Sequence, residues 1–551
     1  MGAFSLIISD AKSNVHNSDF LDAFMEMQAR GPDDTRYVCE TMPQLSKGAA
    51  RYQLTRSEMN EYTPFKFVIG YHRLSINDTS NNGMQPFEDP IMHKMLKYPD
   101  LKLRPSRKLV CNGEIYNHLA IKEEEGFTDK DFQSNSDVEV ILPLYIKHGL
   151  EETLKRLDGD FSFAIVENTN TYITRDVNVF VARDSLGLRP LYMIKDKVHR
   201  NYMFSTEMKG IPKSFSNNKK YEICEVPPGT YWSFQKALNG QDEFTRYADW
   251  GYYKDINNCT ITQTNPDILA NVYSEIKTRL TDAIVKRYVN SNRKVGVLFS
   301  GGFDSSIILA ILIEYLQSVG HNFTEDPICT FTIGDPSSLD VANANTCIKY
   351  LETRHKIDIQ QHYVAIADPT QMEAAIENIV YILETPDTKT ILSGVPFYFL
   401  FNYISKYTDV KVLLTGEGLD EICGYKELHL LDDKGFQRAS VDLLTSMHKY
   451  DILKAEKLSS YYGIEARHPF LDTHFLEYML SLHPRLKRPI QFTVKEAPIE
   501  KYIVRRAFQE YLSDAILWRK MDDVVNNNKI VSNITSNKTY QDMYDSYFLT
   551  H

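Results

Sequence analysis

Up to about residue 235 the chain alternates short apolar runs with turn residues. Ala3–Ile8, Phe65–Tyr71, Lys108–Cys111, Phe161–Val166, Val179–Ala182, Tyr202–Ser205 and Gly229–Phe234 have the length and side-chain content of strands. Two stretches of helical spacing interrupt them, near Ser18–Ala29 and Ser136–His148. The mix predicts an α+β unit with layered sheets over residues 1–235. Residues 236–262 are polar and irregular, as in a linker. From Pro266 long amphipathic stretches alternate with single apolar runs: Tyr273–Tyr288, Val295–Phe299, Ile307–Leu316, Ile328–Ile333, Val412–Leu414. That alternation predicts a parallel sheet flanked by helices over 263–521, with ligands at the carboxyl ends of its strands. The whole is an α/β multidomain chain. Asp522 to His551 is rich in Asn, Ser and Asp with little apolar periodicity, which predicts a weakly ordered tail.

Two strand ends carry candidate chemistry. Ser300-Gly301-Gly302-Phe303-Asp304-Ser305-Ser306 follows an apolar strand and opens an apolar helix. Glycines there let backbone N–H groups approach an anion, and the helix start adds its positive dipole end. The serines add hydroxyl donors, and Asp304 can hold a divalent cation against phosphates. The Gly-Lys-Ser/Thr ending of a Walker A loop is absent. A second strand end, Thr415-Gly416-Glu417-Gly418-Leu419-Asp420-Glu421, repeats the arrangement with three carboxylates. Solvated surface charge would not interleave acids with glycines directly after a buried strand.

With 551 residues, two to four domains are expected. A net charge of −11 argues against a nucleic-acid partner, which would need a basic face. Seven cysteines without CxxC pairs read as reduced thiols in a cytoplasmic protein. No apolar run reaches membrane-spanning length, and Met1–Ser9 lacks the pattern of a signal peptide.

The second half resembles the synthetase domain of the asparagine synthetase B family, an N-type ATP pyrophosphatase. The likeness runs in order through the two loops and through Phe331–Gly334, Glu384–Asp387, Gly463–Asp472, Ile499–Tyr502 and Leu517–Arg519. It implies ATP- and Mg²⁺-dependent activation of aspartate to β-aspartyl-AMP, followed by attack of ammonia. By position, Ser300, Gly301, Gly302, Asp304 and Ser305 would hold pyrophosphate, and Phe299, Ile333, Thr415 and Gly416 the adenosine. Asp304 and Asp420 would hold Mg²⁺, while Glu417 and Lys501 would be catalytic. Leu419, the Cys423-Gly424-Tyr425 turn, Leu392 and the short tail depart from the family pattern.

The first half resembles the class II glutamine amidotransferase (Ntn-type) domain. The residues that carry this are Arg30–Asp33, His72–Ile76, Asn112–Asn117, Ser136-Asp137, Leu157–Gly159, Arg183–Tyr192 and Glu207–Lys209, with spans near 41–60 and 90–107 as insertions. The likeness implies a glutamine pocket of Arg73, Leu74, Ser75, Ile76, Asn77, Asn112, Gly113, Glu114 and Asp137. Arg73 would take the glutamine carboxylate, Asp137 its ammonium, and Asn112 with Gly113 the oxyanion. The family's nucleophile, a cysteine with a free α-amine, is missing before Gly2, where Met1 stands. Three readings stay open: a natural protein with an additional residue there, an ammonia-dependent synthetase, or a β-lactam-synthetase-like intramolecular ligase. A catalytically inactive relative is a fourth, which Asp304, Glu417, Asp420 and Lys501 argue against. The family implies a cytoplasmic homodimer using ATP, aspartate and glutamine or ammonia, with no nucleic acid or membrane partner.

Overall fold

The structure, a computed structural model, describes residues 1–8, 17–41, 65–89, 106–170, 175–196, 200–216, 220–263, 265–334, 337–365, 368–488, 499–519 and 539–548. The two expected insertions lie almost wholly outside them.

The first half builds two six-stranded antiparallel sheets. One runs in the spatial order Tyr221–Glu225, Tyr192–Asp196, Tyr202–Ser205, Gly2–Ile8, Phe65–Arg73, Asp34–Thr41. The other runs Thr245–Arg246, Thr230–Ser233, Arg175–Arg183, Gly159–Asn170, Ser106–Ile115, Phe87–Glu88. Gly2–Ile8 lies inside its sheet, and the whole strand is buried, which is why it is apolar on both faces but for Ser5, whose hydroxyl meets that of Ser205 (3.2 Å). Its Phe4, Leu6 and Ile8 pack with Val110, Ala164, Val166 and Val181 of the facing sheet, so the two sheets share one core. Helices cover the outer faces. Asn17–Met25 supplies Phe20 and Phe24 to one side, and Ile141–His148 supplies Ile141 and Leu144 to the other.

The second half is a five-stranded parallel sheet in the order Ile359–Val364, Ile328–Ile333, Val295–Leu298, Val412–Leu414, Glu465–Arg467. The chain builds outward from Val295–Leu298 in one direction, then returns and builds in the other. The order reverses between Val295–Leu298 and Val412–Leu414, and a crevice for ligands opens at such a switch point. Helix Pro266–Val289 leads into the sheet, started by Asn265 accepting from Ile268 N (2.9 Å) and by Pro266 in its first turn.

Two expectations are corrected. The polar span 236–262 is packed in. Thr245–Arg246 pairs with the second sheet, Tyr247 donates to the Arg183 carbonyl (2.8 Å), and Trp250 is buried in the core of the second half. The span reads as a linker because only a few of its residues, Ala237, Trp250 and Cys259 among them, are buried. Within the expected loose tail, Tyr540–Phe548 is a helix that buries Met543 and Phe548. It packs on the helix Pro369–Leu383, with the Tyr547 and Tyr381 rings 5.1 Å apart.

The halves meet through buried charge. Arg30 pairs with Glu456, Arg189 with Glu465 (3.2 Å), Arg287 with Asp160 (3.8 Å), and Arg467 with Glu114 (3.3 Å). Glu384 gathers Lys457, Lys209 Nζ (3.0 Å) and the backbone N–H groups of Met208 (2.9 Å) and Lys209 (2.8 Å).

Candidate functional site

Both loops expected to hold phosphates and acids stand at the carboxyl ends of the two strands flanking the switch point. In the first, Gly301 has φ +72°, and a Cβ there would lie 2.4 Å from Ala344 N. The loop ties itself into shape through serines. Ser300 N and Ser300 Oγ both contact Ser305 Oγ (3.3 and 3.2 Å), and Gly302 N donates to Ser300 Oγ (3.2 Å). Phe299 N donates to the Phe331 carbonyl (2.8 Å), and its own carbonyl accepts from Thr332 Oγ1 (2.6 Å), which fixes the wall that includes Ile333. Gly301→Ala is therefore expected to displace the loop and raise the KM for ATP at least about tenfold, measured by ATP titration. An unchanged KM would contradict the tight approach.

The second loop brings Gly416 against the first, with a Cβ at that position 3.2 Å from Asp304 Cβ. Thr415 N donates to the Arg467 carbonyl (3.0 Å), and Thr415 Oγ1 hydrogen-bonds His468 Nδ1 (2.6 Å). Burial, then Arg189 and Arg287, push the His468 imidazole down to about 3, so it is neutral at pH 7. Lys501, itself buried, reaches between the two loops. Its Nζ lies 2.6 Å from Asp304 Oδ2 and 2.7 Å from Asp420 Oδ1. Burial opposes the ammonium, but Asp304 and Asp420 outweigh it and raise its pKa. Burial raises the Asp304 pKa, and Asp304 Oδ1 is a buried oxygen with no hydrogen-bond partner. Glu417 is pushed up to about 7, first by burial and then by Asp451, Asp420 and Asp304, with Lys454 opposing. Leu419 points into the core and Leu392 packs against apolar neighbours.

Among the described residues no group of three or more His, Cys, Asp or Glu side chains forms a metal cage. Asp304 and Asp420 nevertheless fit Mg²⁺ of the kind held by one or two carboxylates plus substrate phosphates, and the orphaned Asp304 Oδ1 is an available ligand.

In the first half, Arg73, Leu74, Ser75, Ile76, Asn77, Gly113, Glu114 and Asp137 line one cavity, which Met1 also lines. Its volume is about 20 Å³, room for one water. The Arg73 guanidinium donates to the carbonyls of Ser80 (2.5 Å) and Asp78, and Asp137 accepts from Ile115 N (2.6 Å). Asn112 does not reach the cavity wall. Its amide donates to the Gly2 carbonyl (2.8 Å) and its oxygen accepts from Arg30 (3.1 Å). The Met1 amine donates to the Leu74 carbonyl (3.1 Å) and faces Glu114 (3.5 Å), whose other oxygen meets Arg467 of the second half.

Sequence reasoning assigned no role to Arg519, which donates to the Gly301 carbonyl, to His468 on Thr415, or to the pair Asp451–Lys454 beside Glu417. The last carried a signal, an acid and a base three residues apart on one helix face.

A two-sheet amidotransferase unit joined to a parallel-sheet unit with a phosphate loop defines the class: amidotransferase-linked ATP pyrophosphatases. The profile of a glutamine amidotransferase domain matches residues 4–236, and that of asparagine synthase matches residues 275–436 and 429–528. The asparagine synthetase (glutamine-hydrolysing) of Cricetulus griseus is 30% identical over 506 residues, covering 90% of this chain and 79% of that one. That of Gallus gallus is 30% identical over 508 residues, with the same coverage. Among solved structures, the glutamine phosphoribosylpyrophosphate amidotransferase of B. subtilis covers 66% of this chain and 91% of its own, with TM-score 0.33 and 14% identity. The chain belongs to the asparagine synthetase family. No described helix is long and apolar enough to cross a membrane.

Proposed function

We propose that the chain converts aspartate, ATP and ammonia to asparagine, AMP and pyrophosphate through β-aspartyl-AMP, using residues 263–521 as the synthetase unit. The observation that carries this is the meeting of Asp304, Asp420, Lys501 and Glu417 at two adjacent strand ends in a chain of this family. Ser300, Gly301, Gly302 and Ser305 cradle the pyrophosphate part of ATP, while Phe299, Ile333, Thr415 and Gly416 border its adenosine. A β-carboxylate oxygen of aspartate attacks the α-phosphorus, and the bond from that phosphorus to the bridging oxygen breaks. The loop N–H groups and Lys501 take up the charge on departing pyrophosphate. Mg²⁺, when bound at Asp304 and Asp420, supplies further charge neutralisation. The ammonia lone pair then attacks the acyl carbon, Glu417 removes a proton from the attacking nitrogen, and AMP leaves.

Free ammonia is the nitrogen source. The residue before Gly2 is methionine, whose thioether has no proton to lose and forms no thioester by acyl transfer. Cys39 and Cys111 are buried, and burial pushes the Cys111 thiol far up, which makes it inert. The Arg73 guanidinium, expected on the glutamine carboxylate, is engaged with the carbonyls of Ser80 and Asp78.

The test is product stoichiometry. Purified protein with ATP, aspartate and ammonium should give AMP, pyrophosphate and asparagine in equal amounts with no ADP. Turnover without aspartate or without ammonium would contradict the reading, the latter pointing to ring closure within one substrate. The Glu417 carboxyl is mostly protonated below about pH 7 and ionised above it. As a proton acceptor it should therefore make asparagine formation rise with pH through a midpoint near 7. Glu417→Gln should remove that limb from the pH–rate profile, and a limb that persists would exclude the role.

A further inference from the structure

A cavity of about 480 Å³ lies where three helices meet: Asn17–Met25 of the first half, Pro369–Leu383 of the second, and the final helix Tyr540–Phe548. It lies apart from both sites described above, and its volume is that of a small-molecule pocket. Helix Asn17–Met25 turns Phe20, Leu21 and Phe24 into the core of its own half. That leaves Asp19, Asp22 and, just past the helix end, Glu26 along the cavity. The opposite wall is aromatic. The Tyr381 ring stands 5.1 Å from that of Tyr547 and is stacked, at 6.3 Å, on that of Phe548. The Tyr381 hydroxyl donates to Glu26 Oε2 (2.7 Å) and joins the two walls. Lys209, on the floor, is already neutralised by Glu207 (3.1 Å) and Glu384 (3.0 Å). Among the described lining residues, the three acids are then opposed by Lys213, which is exposed.

We propose that this cavity binds a linear aliphatic triamine, its ammonium groups on Asp19, Asp22 and Glu26 and its methylene spacers against Tyr381, Tyr547 and Phe548. The inference is independent of the synthetase reading. A solvated helix face would account for three acids in a row, but not for their standing across a cavity from three aromatic rings. Metal ions would use the acids and leave the rings idle, and anions are repelled. An alkyl ammonium uses both walls, with a carboxylate on one side and a ring face on the other. The spacing of the acids selects the length. Asp19, Asp22 and Glu26 are separated by three and then four residues, so they rise about 4.5 Å and then about 6 Å along the helix axis. Extended propyl and butyl spacers set successive nitrogens about 5 Å and about 6 Å apart at ordinary bond lengths. A ligand held there touches helices of both halves. It also lies over Met208 and Lys209, whose backbone N–H groups donate to Glu384 (2.9 and 2.8 Å). Occupancy therefore stabilises the contact between the halves.

The test is calorimetric titration of the full chain with spermidine, with putrescine (one ammonium fewer) and Mg²⁺ as comparators, paired with thermal melts. Spermidine should bind once per chain and at least about tenfold tighter than putrescine or Mg²⁺, the difference expected from one further charge contact. Asp22→Asn should weaken spermidine about fivefold, and Asp19→Asn with Asp22→Asn together at least about 20-fold. Tyr547→Leu should weaken it about fivefold while leaving Mg²⁺ binding unchanged. Saturating spermidine should raise the unfolding midpoint of the wild type and leave that of the double variant where it is. The melts also show which variants fold. If Tyr547→Leu does not, the double variant carries the test, since it changes two side chains outside the core. No saturable binding below about 1 mM, equal affinity for the three cations, or unchanged affinity in the double variant would overturn the assignment.

Discussion

Lys501→Met is expected to lower pyrophosphate release at least about 1000-fold in kcat while moving the KM for aspartate much less. The argument is geometric. The Lys501 ammonium is buried and held 2.6 Å and 2.7 Å from carboxylates of the two loops, so in the proposed reaction its charge stands beside the departing pyrophosphate. Little reorganisation is then needed at the moment of bond breaking, which is the condition for a large electrostatic effect. The backbone at this point is unusual too: Lys501 adopts φ +58° at the start of the helix Tyr502–Ala507. Lys501→Arg should recover only part of the loss, because a planar fork does not replace a point charge between two acids. A fall of less than tenfold in Lys501→Met, measured by steady-state pyrophosphate release, would remove Lys501 from the chemistry.

The second large effect is on stability. Glu384→Ala should cost about 3–5 kcal/mol of unfolding free energy. Glu384 is buried between Lys209 and Lys457 and also accepts from two backbone N–H groups, so its removal leaves the buried Lys457 ammonium without a carboxylate, leaves Lys209 with Glu207 alone, and strands two donors. Burial alone would raise its pKa, but Lys209 and Lys457 overcome that and hold it down to about 2, from an ordinary 4.5. A depressed acid gives stability that is fully present above its unfolded pKa and disappears as pH falls through its folded one. The stabilisation should therefore be complete above about pH 4.5 and fade toward pH 2. Denaturant unfolding of both forms across this range checks it, and a difference below about 1 kcal/mol at pH 7 would contradict the account.

Much of this was legible in the residues, and the reason is local. The strands Ile328–Ile333, Val412–Leu414 and Tyr202–Ser205 have the bounds their apolar runs predict, because each is buried and bounded by turn residues. The two loops were readable because glycines and hydroxyls after an apolar strand leave few other uses. What escaped was set by contacts distant in sequence. Neither the Lys501 bridge between Asp304 and Asp420 nor the closure of Arg73 onto Asp78 and Ser80 has a signature in spacing. Asn112, expected beside the cavity, is drawn instead to Gly2 and Arg30, because Arg30 reaches in to meet Glu456 across the domain contact. The final helix was missed since its apolar face is supplied by only a few residues, among them Met543, Tyr544 and Phe548, inside a polar stretch. The packed segment 236–262 was missed because its few buried residues, such as Ala237, Trp250 and Cys259, are too widely spaced to form a periodic pattern.

The central claim is that this chain adenylates aspartate and takes its nitrogen from ammonia, with a glutamine pocket that does not hydrolyse. The most direct measurement supplies the purified chain with ATP, aspartate and either [¹⁵N]ammonium or [amide-¹⁵N]glutamine, and reads the label in asparagine by mass spectrometry. The account predicts asparagine labelled from ammonium, with none labelled from glutamine. Label arriving from glutamine with release of glutamate, or no asparagine under either condition, would contradict it.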